Sequence, residues 1–120
     1  MNILIVDDDT YFAEDIGSII EELSHIHLYA QNKKGALAQF QSYPAIGLII
    51  FDTELKPTNE MGYEVYDALL AKGYKNSALA LSASTDAKII WEWKQRNVRF
   101  LSKTTKLSDL RNVIKPYLEK

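Results

Sequence analysis

Two short, unbroken runs of apolar residues constrain the fold of this chain more than any other feature. They are "ILIV" at residues 3–6 and "LIIF" at residues 48–51, and each ends directly at an aspartate. Strands of antiparallel sheets commonly alternate apolar and polar residues, whereas a parallel strand covered on both faces is apolar throughout. The two runs therefore predict a parallel sheet with helices on both faces.

Five strand–helix units follow one another along the chain. Apolar runs predict strands at residues 3–6, 27–30, 47–51, 78–81 and 98–101, and helical spacing of apolar residues predicts helices around residues 12–23, 33–41, 65–70, 86–95 and 108–118. Strands that alternate with helices in this way imply right-handed crossovers and one parallel sheet. We predict a single α/β domain over residues 1–120, a doubly wound (βα)5 fold with the flavodoxin-like strand order 2-1-3-4-5.

Helical spacing also predicts how individual helices begin, end and face the core. Asp9 or Thr10 is expected to cap the first helix, and Gly73 is expected to end the third. Trp91 is expected to stay exposed on the fourth helix. The side chains expected to face inward from the third and fourth helices are Val65, Leu69, Leu70, Ile89, Ile90 and Trp93.

Composition excludes several classes of function. The absence of cysteine excludes disulfides, thiolate metal sites and cysteine nucleophiles. A formal net charge of −2 supplies no basic surface, so direct binding of nucleic acid by this domain is not expected. The first apolar run is too short for a signal peptide or a membrane span, which predicts a cytoplasmic protein. His25 and His27 are the only histidines, so we assign them a structural or surface role rather than a metal site.

Polar side chains follow four of the predicted strands, at the edge where ligands bind in parallel α/β sheets. Asp7 and Asp8 follow the first strand and Asp52 the third. Ser82 follows the fourth strand, and Lys103 comes shortly after the fifth. These five side chains are therefore predicted to converge on one site.

Crowded carboxylates repel one another unless a cation compensates, and Mg²⁺ prefers oxygen ligands. Asp8 and Asp52 are expected to bind Mg²⁺ directly, while Asp7 would hold a coordinated water molecule. The backbone carbonyl of Glu54 would supply a neutral oxygen ligand. The acidic residues therefore predict a magnesium site.

A carboxylate at such a site can act as a nucleophile and form an aspartyl-phosphate. Lys103 would pair with Asp52 at rest and with a phosphoryl oxygen after transfer. The Ser82 hydroxyl would donate a hydrogen bond to another phosphoryl oxygen. The predicted chemistry is phosphoryl transfer to Asp52.

Four segments, "ILIVDDD", "LIIFDTEL", "LALSAS" and "RFLSKTT", together resemble the receiver domain of bacterial response regulators over essentially the whole chain. The resemblance implies that Asp52 accepts a phosphoryl group from a phosphohistidine on a sensor histidine kinase or a histidine phosphotransfer protein. Asp7 and Asp8 would hold Mg²⁺, and the protein would catalyse only its own phosphorylation and dephosphorylation. Ser82 and Phe100 would act as switch residues that reshape the face formed by the fourth helix, fifth strand and fifth helix.

The exposed Trp91 belongs to that face. Because tryptophan is enriched in binding hot spots, Trp91 is a candidate contact for a homodimer or an output partner. Simple packing of a partly exposed side chain is the alternative interpretation.

The sequence departs from the family pattern at a few positions. Thr104 follows Lys103, where receivers usually have proline, and Gly62 comes about two residues later than is common. Glu54 and Ser84 occupy positions that the family uses to tune the lifetime of the phosphoryl group. Thr104 and Glu54 leave open a pseudo-receiver that binds partners without phosphorylation. A more remote alternative is a phosphatase of the haloacid dehalogenase type.

Overall fold

The computed structural model describes residues 1–83, 86–103 and 105–119, and within them the chain forms seven strands and five helices. Ser84 and Thr104 lie outside the described residues. The elements are β1 (Asn2–Val6), α1 (Thr10–Glu22), β2 (Ile26–Ala30), α2 (Lys33–Ser42), β3 (Ile46–Asp52), β4 (Glu54–Leu55), β5 (Glu60–Met61), α3 (Gly62–Ala71), β6 (Ser77–Ser82), α4 (Ala87–Gln95), β7 (Arg99–Ser102) and α5 (Leu107–Leu118).

The central sheet has five parallel strands in the order β2-β1-β3-β6-β7. This order confirms the predicted flavodoxin-like arrangement, because β6 and β7 are the fourth and fifth predicted strands. The strands β4 and β5 form a separate two-stranded sheet. No helix in the described part of the chain is long and apolar enough to span a membrane.

Alternate residues of each central strand enter two separate hydrophobic clusters. One cluster joins Leu4 and Phe51 to α2, α3 and α4, and the other joins Ile5 and Ile50 to α1 and α5. All four side chains are at most 2% exposed. The sheet is therefore covered on both faces, which confirms the interpretation of the apolar runs.

The ends of the helices follow the predicted signals. The Asp9 side chain accepts a hydrogen bond from the Phe12 amide at 3.1 Å and caps α1. Gly73 follows the α3 cap with φ of +102°, a conformation that favours glycine because it lacks a Cβ. Both residues therefore have the predicted structural role.

The prediction placed one residue too many on the buried face of α3. Val65 and Leu69 are fully buried, but Leu70 is 41% exposed. One residue further along a helix is turned by about 100°, which carries Leu70 away from the sheet. In α4, Ile90 is likewise only partly buried, whereas Trp91 is 55% exposed as predicted.

No regular element was predicted between the third strand and the third helix, but the segment after β3 forms a small hairpin, defined here as residues 54–61. Glu54 pairs with Met61 and Leu55 with Glu60 in an antiparallel ladder. Leu55 is fully buried and anchors the hairpin in the core. Two residues per strand are too few for a recognisable alternating pattern, so the sequence did not indicate this element.

Aromatic side chains and one ion pair join α3 to α4. The Trp93 ring lies 5.5 Å from Phe51 and 6.2 Å from Tyr63, measured between ring centroids. Arg96, at the end of α4, donates two hydrogen bonds of 2.8 and 2.7 Å to Asp67 on α3. Its guanidinium also lies 4.8 Å from the centroid of the Tyr63 ring. The contact between Phe51 and Trp93 packs the end of β3 directly against α4.

Gly62, the first residue of α3, has no room for a side chain. A Cβ atom there would lie 1.9 Å from the backbone oxygen of Asp52 and 3.0 Å from Cζ2 of Trp93. We expect Gly62→Ala to lower the free energy of unfolding by about 3 kcal/mol, because backbone in the core cannot move aside without disturbing its packing. Urea unfolding measures this loss.

The matched control is Gly35→Ala in α2, where the nearest atoms would be the Ala30 Cβ and the Asn32 Oδ1, both at an ordinary 3.4 Å. This variant should gain about 0.5–1 kcal/mol from the lower flexibility of alanine. Equal stabilities of the two variants would contradict the assigned role of Gly62.

Candidate functional site

Three carboxylates meet where β1 and β3 end. Val6 lies beside Phe51 in the sheet, so Asp7 and Asp52 follow at the same level of neighbouring strands. One carboxylate oxygen each from Asp7, Asp8 and Asp52 lies within 4.8 Å of the others. Asp7 and Asp52 are buried, and Asp8 is half-buried. The structure thus brings together the three predicted acidic residues, which we call the carboxylate cluster.

Lys103 reaches the carboxylate cluster from the end of β7. Its Nζ lies 2.8 Å from Oδ2 of Asp7 and 3.4 Å from Oδ1 of Asp52. The ammonium also lies 4.6 Å from the centroid of the Phe12 ring on α1. Lys103 therefore bridges two carboxylates, with its shorter contact to Asp7 rather than to Asp52, which the sequence had suggested as its partner.

Burial dominates the protonation of this site. It raises the pKa of Asp52 to about 7, the charge of Asp7 adds to the rise, and Lys103 opposes it. Burial also raises the pKa of Asp7, against the opposing hydrogen bond from Lys103. Burial by itself would lower the pKa of Lys103, but its interactions with both carboxylates raise that pKa above its ordinary value. A single ammonium is therefore too little positive charge for the cluster, which favours a divalent cation.

Ser82 lies beside Thr53, a residue that the sequence analysis missed. The two hydroxyl groups share a hydrogen bond, and the side chains are 2% and 1% exposed. The Thr53 amide also donates to Oδ1 of Asp52 at 2.8 Å. The sequence does show a hydroxyl residue directly after Asp52. That Thr53 pairs with Ser82, however, depends on the register between β3 and β6.

A family model for the response regulator receiver domain matches residues 3–115. The chain belongs to this family. Comparison with curated proteins gives no match.

Solved structures share the fold, and two of those described next are receiver domains. A CheY-like receiver domain protein from Methanospirillum hungatei JF-1 is 22% identical, with a TM-score of 0.86 over 98% of this chain and 93% of that chain. The NtrX receiver domain from Brucella abortus is also 22% identical, with a TM-score of 0.86 over 98% of each chain. The N-terminal domain of an uncharacterized protein from Wolinella succinogenes is 25% identical, with a TM-score of 0.86 over 99% of this chain and 94% of that chain.

In this receiver domain the hairpin borders the carboxylate cluster. The Lys56 amide donates to Oδ2 of Asp8 at 3.1 Å, and the Lys56 ammonium lies 2.8 Å from Oε1 of Glu54. Glu60 accepts a hydrogen bond of 2.9 Å from the Lys33 amide at the start of α2. The hairpin is thus tied to the site and to a neighbouring helix, and the Glu54 carboxylate is engaged by Lys56.

The remaining predicted residues lie on the elements expected for them. Phe100 is half-buried on β7 beside Ala80 of β6. His25 lies 3.0 Å from the N-terminal amine, and His27 lies 3.3 Å from Glu21. These contacts fit a structural or surface role for both histidines.

The raised pKa of Asp52 predicts a pH-dependent stability. Its pKa is about 7 in the folded receiver, against an ordinary value of 3.8, so folding retains a proton that the unfolded chain releases between these two values. The free energy of unfolding should therefore fall as the pH rises through this range. We expect Asp52→Asn to be more stable than the wild type by about 2–4 kcal/mol at pH 8 without divalent ions, and this difference to disappear only as the pH falls below 3.8, the ordinary pKa.

Urea unfolding at several pH values, in the presence of a chelator, measures the effect. Asp15→Asn, which removes an exposed carboxylate on α1, is the matched control and should unfold like the wild type at each pH. If the difference in free energy of unfolding between Asp52→Asn and the wild type does not change with pH, the raised pKa of Asp52 is contradicted.

Proposed function

We propose that this receiver domain accepts a phosphoryl group on Asp52, in the presence of Mg²⁺, from a phosphohistidine of a sensor histidine kinase or histidine phosphotransfer protein. The main support is the carboxylate cluster, with Lys103 in contact with both Asp7 and Asp52. Such a donor would be met in the cytoplasm, which is the location we infer.

The donor set fits a hard divalent cation. The cluster offers carboxylate oxygens within 4.8 Å of one another, and burial raises the pKa of Asp7 and Asp52, as expected where positive charge is lacking. Asp8 and Asp52 would hold Mg²⁺ directly, Asp7 through a water molecule, and Glu54 through its backbone carbonyl. When bound, the ion supplies charge neutralisation for the incoming phosphoryl group.

The side chains of this chain account for the remaining steps. Asp52 attacks as a carboxylate; a P–O bond forms to its oxygen, the P–N bond of the donor breaks, and the electron pair stays on the imidazole nitrogen. The Lys103 ammonium would move from the carboxylates to a phosphoryl oxygen, and the Ser82 hydroxyl would donate to another. The domain therefore acts on itself and is a switch rather than an enzyme with substrate turnover.

Phosphorylation replaces the single carboxylate charge of Asp52 with a phosphoryl group that carries about −1.5 to −2. Ser82 would move toward the phosphoryl group and Phe100 would follow it, changing the output face, defined here as α4, β7 and α5. Glu54 and Ser84 are the proposed determinants of phosphoryl lifetime. The proposed partner of the output face is a second copy of the domain or an output protein that contacts Trp91.

Beryllofluoride with Mg²⁺ mimics the phosphoryl group and tests this function. We expect a saturable change in tryptophan fluorescence or amide NMR signals for the wild type and none for Asp52→Asn. A phosphohistidine donor should likewise add one phosphoryl group to the wild type, measured by intact mass. The exposed-site variant Asp15→Asn is the control and should respond like the wild type.

Two results would change the proposal. A wild type without any saturable response would leave the pseudo-receiver as the better hypothesis. Turnover of simple phosphate monoesters would favour the phosphatase of the haloacid dehalogenase type. Such enzymes carry a second acidic residue two positions after the nucleophile. Here that position is Glu54, whose carboxylate forms a salt bridge with Lys56.

Trp91 gives a separate prediction for the output face. Because its side chain is 55% exposed, Trp91→Ala should change the free energy of unfolding by no more than about 0.5 kcal/mol. It should nevertheless weaken dimerisation of the beryllofluoride-bound domain, measured by analytical ultracentrifugation. Tyr43→Ala, at an exposed position after α2, is the control and should leave dimerisation unchanged. If Trp91→Ala equals the wild type both in dimerisation and in binding of an output partner, the proposed contact is wrong.

A further inference from the structure

We propose that Thr53 is a positioning residue, which holds the Ser82 hydroxyl in its resting orientation and thereby sets how readily the phosphoryl group can turn the switch. The observation behind this proposal is the hydrogen bond between the two hydroxyl groups. The inference rests on the proposed function of Asp52 and concerns the regulation of that same site.

The register of the sheet explains why these residues meet. Asp52 lies beside Leu81 in the β3–β6 ladder, so the following residues, Thr53 and Ser82, are neighbours at the edge of the sheet. Successive residues of a strand point to opposite faces. Leu81 belongs to the cluster under α1 and α5, whereas Phe51 belongs to the cluster under α3 and α4. The alternation thus assigns Asp52 to the first face, and Thr53 with Ser82 to the second.

This arrangement opposes movement of Ser82 toward a phosphoryl group on Asp52. Both hydroxyl groups lie on side chains that are no more than 2% exposed, so bulk water cannot replace a hydrogen bond that is given up. Movement of the Ser82 Oγ toward a phosphoryl oxygen on Asp52 takes it away from the Thr53 hydroxyl, so the shared hydrogen bond is given up whichever hydroxyl donates it. The Thr53 hydroxyl therefore stabilises the resting orientation relative to the phosphorylated one.

Thr53 is suited to this role because both its backbone and its side chain are restrained. Its amide donates to Oδ1 of Asp52 at 2.8 Å, and β-branching restricts its side-chain rotamers. Phosphorylation changes the very carboxylate that the Thr53 amide contacts. The residue thus connects the phosphoacceptor to the switch hydroxyl through its own backbone and side chain.

The test compares Thr53→Val, which removes the hydroxyl at nearly constant shape, with Thr53→Ser, which keeps it. We expect Thr53→Val to bind beryllofluoride with Mg²⁺ about two- to tenfold more tightly than the wild type, because one resting partner of Ser82 is lost. Thr53→Ser should bind within about twofold of the wild type. Titrations followed by amide NMR give these affinities, and urea unfolding verifies that each variant is folded.

The same substitution made in a Ser82→Ala variant shows whether the change in affinity acts through Ser82. In Ser82→Ala, the additional change Thr53→Val should no longer alter the affinity, since the hydroxyl pair is already absent. A general change in packing would instead persist in this background. Thr53→Ala removes the hydroxyl without keeping a branched side chain and should shift the affinity in the same direction, so the test also stands if Thr53→Val does not fold.

The inference is overturned if the wild type responds to beryllofluoride but Thr53→Val binds with equal or lower affinity. It is also overturned if the gain in affinity persists in Ser82→Ala. Failure of the proposed function has a different signature, because the wild type would then show no saturable response, or Asp52→Asn would respond equally.

Discussion

The repulsion among Asp7, Asp8 and Asp52 is the interaction on which the rest of the site depends. The sheet holds these carboxylates together at its edge, where burial raises the pKa of Asp7 and Asp52, and Lys103 supplies only one opposing charge. A surface that merely needed to be stable would not gather acidic groups in this way. The proposed divalent cation would relieve this imbalance of charge, and the proposed phosphorylation of Asp52 would alter it.

The same strand that presents Asp52 also connects it to the rest of the domain. Phe51 packs against Trp93 of α4, Thr53 contacts Ser82 of β6, and the hairpin that follows contacts Asp8. Hydrogen bonds between Arg96 and Asp67 additionally join α4 to α3. The end of β3 therefore cannot shift without disturbing the packing of these helices. Packed elements of this kind tend to have discrete arrangements rather than continuous deformation, as a switch requires.

The outcome at individual residues shows where interpretation of the sequence succeeded. The apolar runs before Asp7 and Asp52 correctly indicated strands buried on both faces, because a short run without polar residues is typical of a parallel strand covered by helices. Asp9 and Gly73 were assigned correctly because caps and helix ends depend on local backbone chemistry. Leu70 was assigned to the wrong face, because it is turned by about 100° from Leu69, the residue that is buried in the core.

The sequence by itself determined the alternation of strands and helices and the order in which Asp7, Asp8, Asp52, Ser82 and Lys103 follow the strands, because periodicity and turn chemistry are local. Only the tertiary structure decided the distances among these groups, the closer contact of Lys103 with Asp7, and the pairing of Thr53 with Ser82. The hairpin after β3 also became visible only there. Each of these features depends on strand register and on contacts between residues far apart in the chain, which no local pattern encodes.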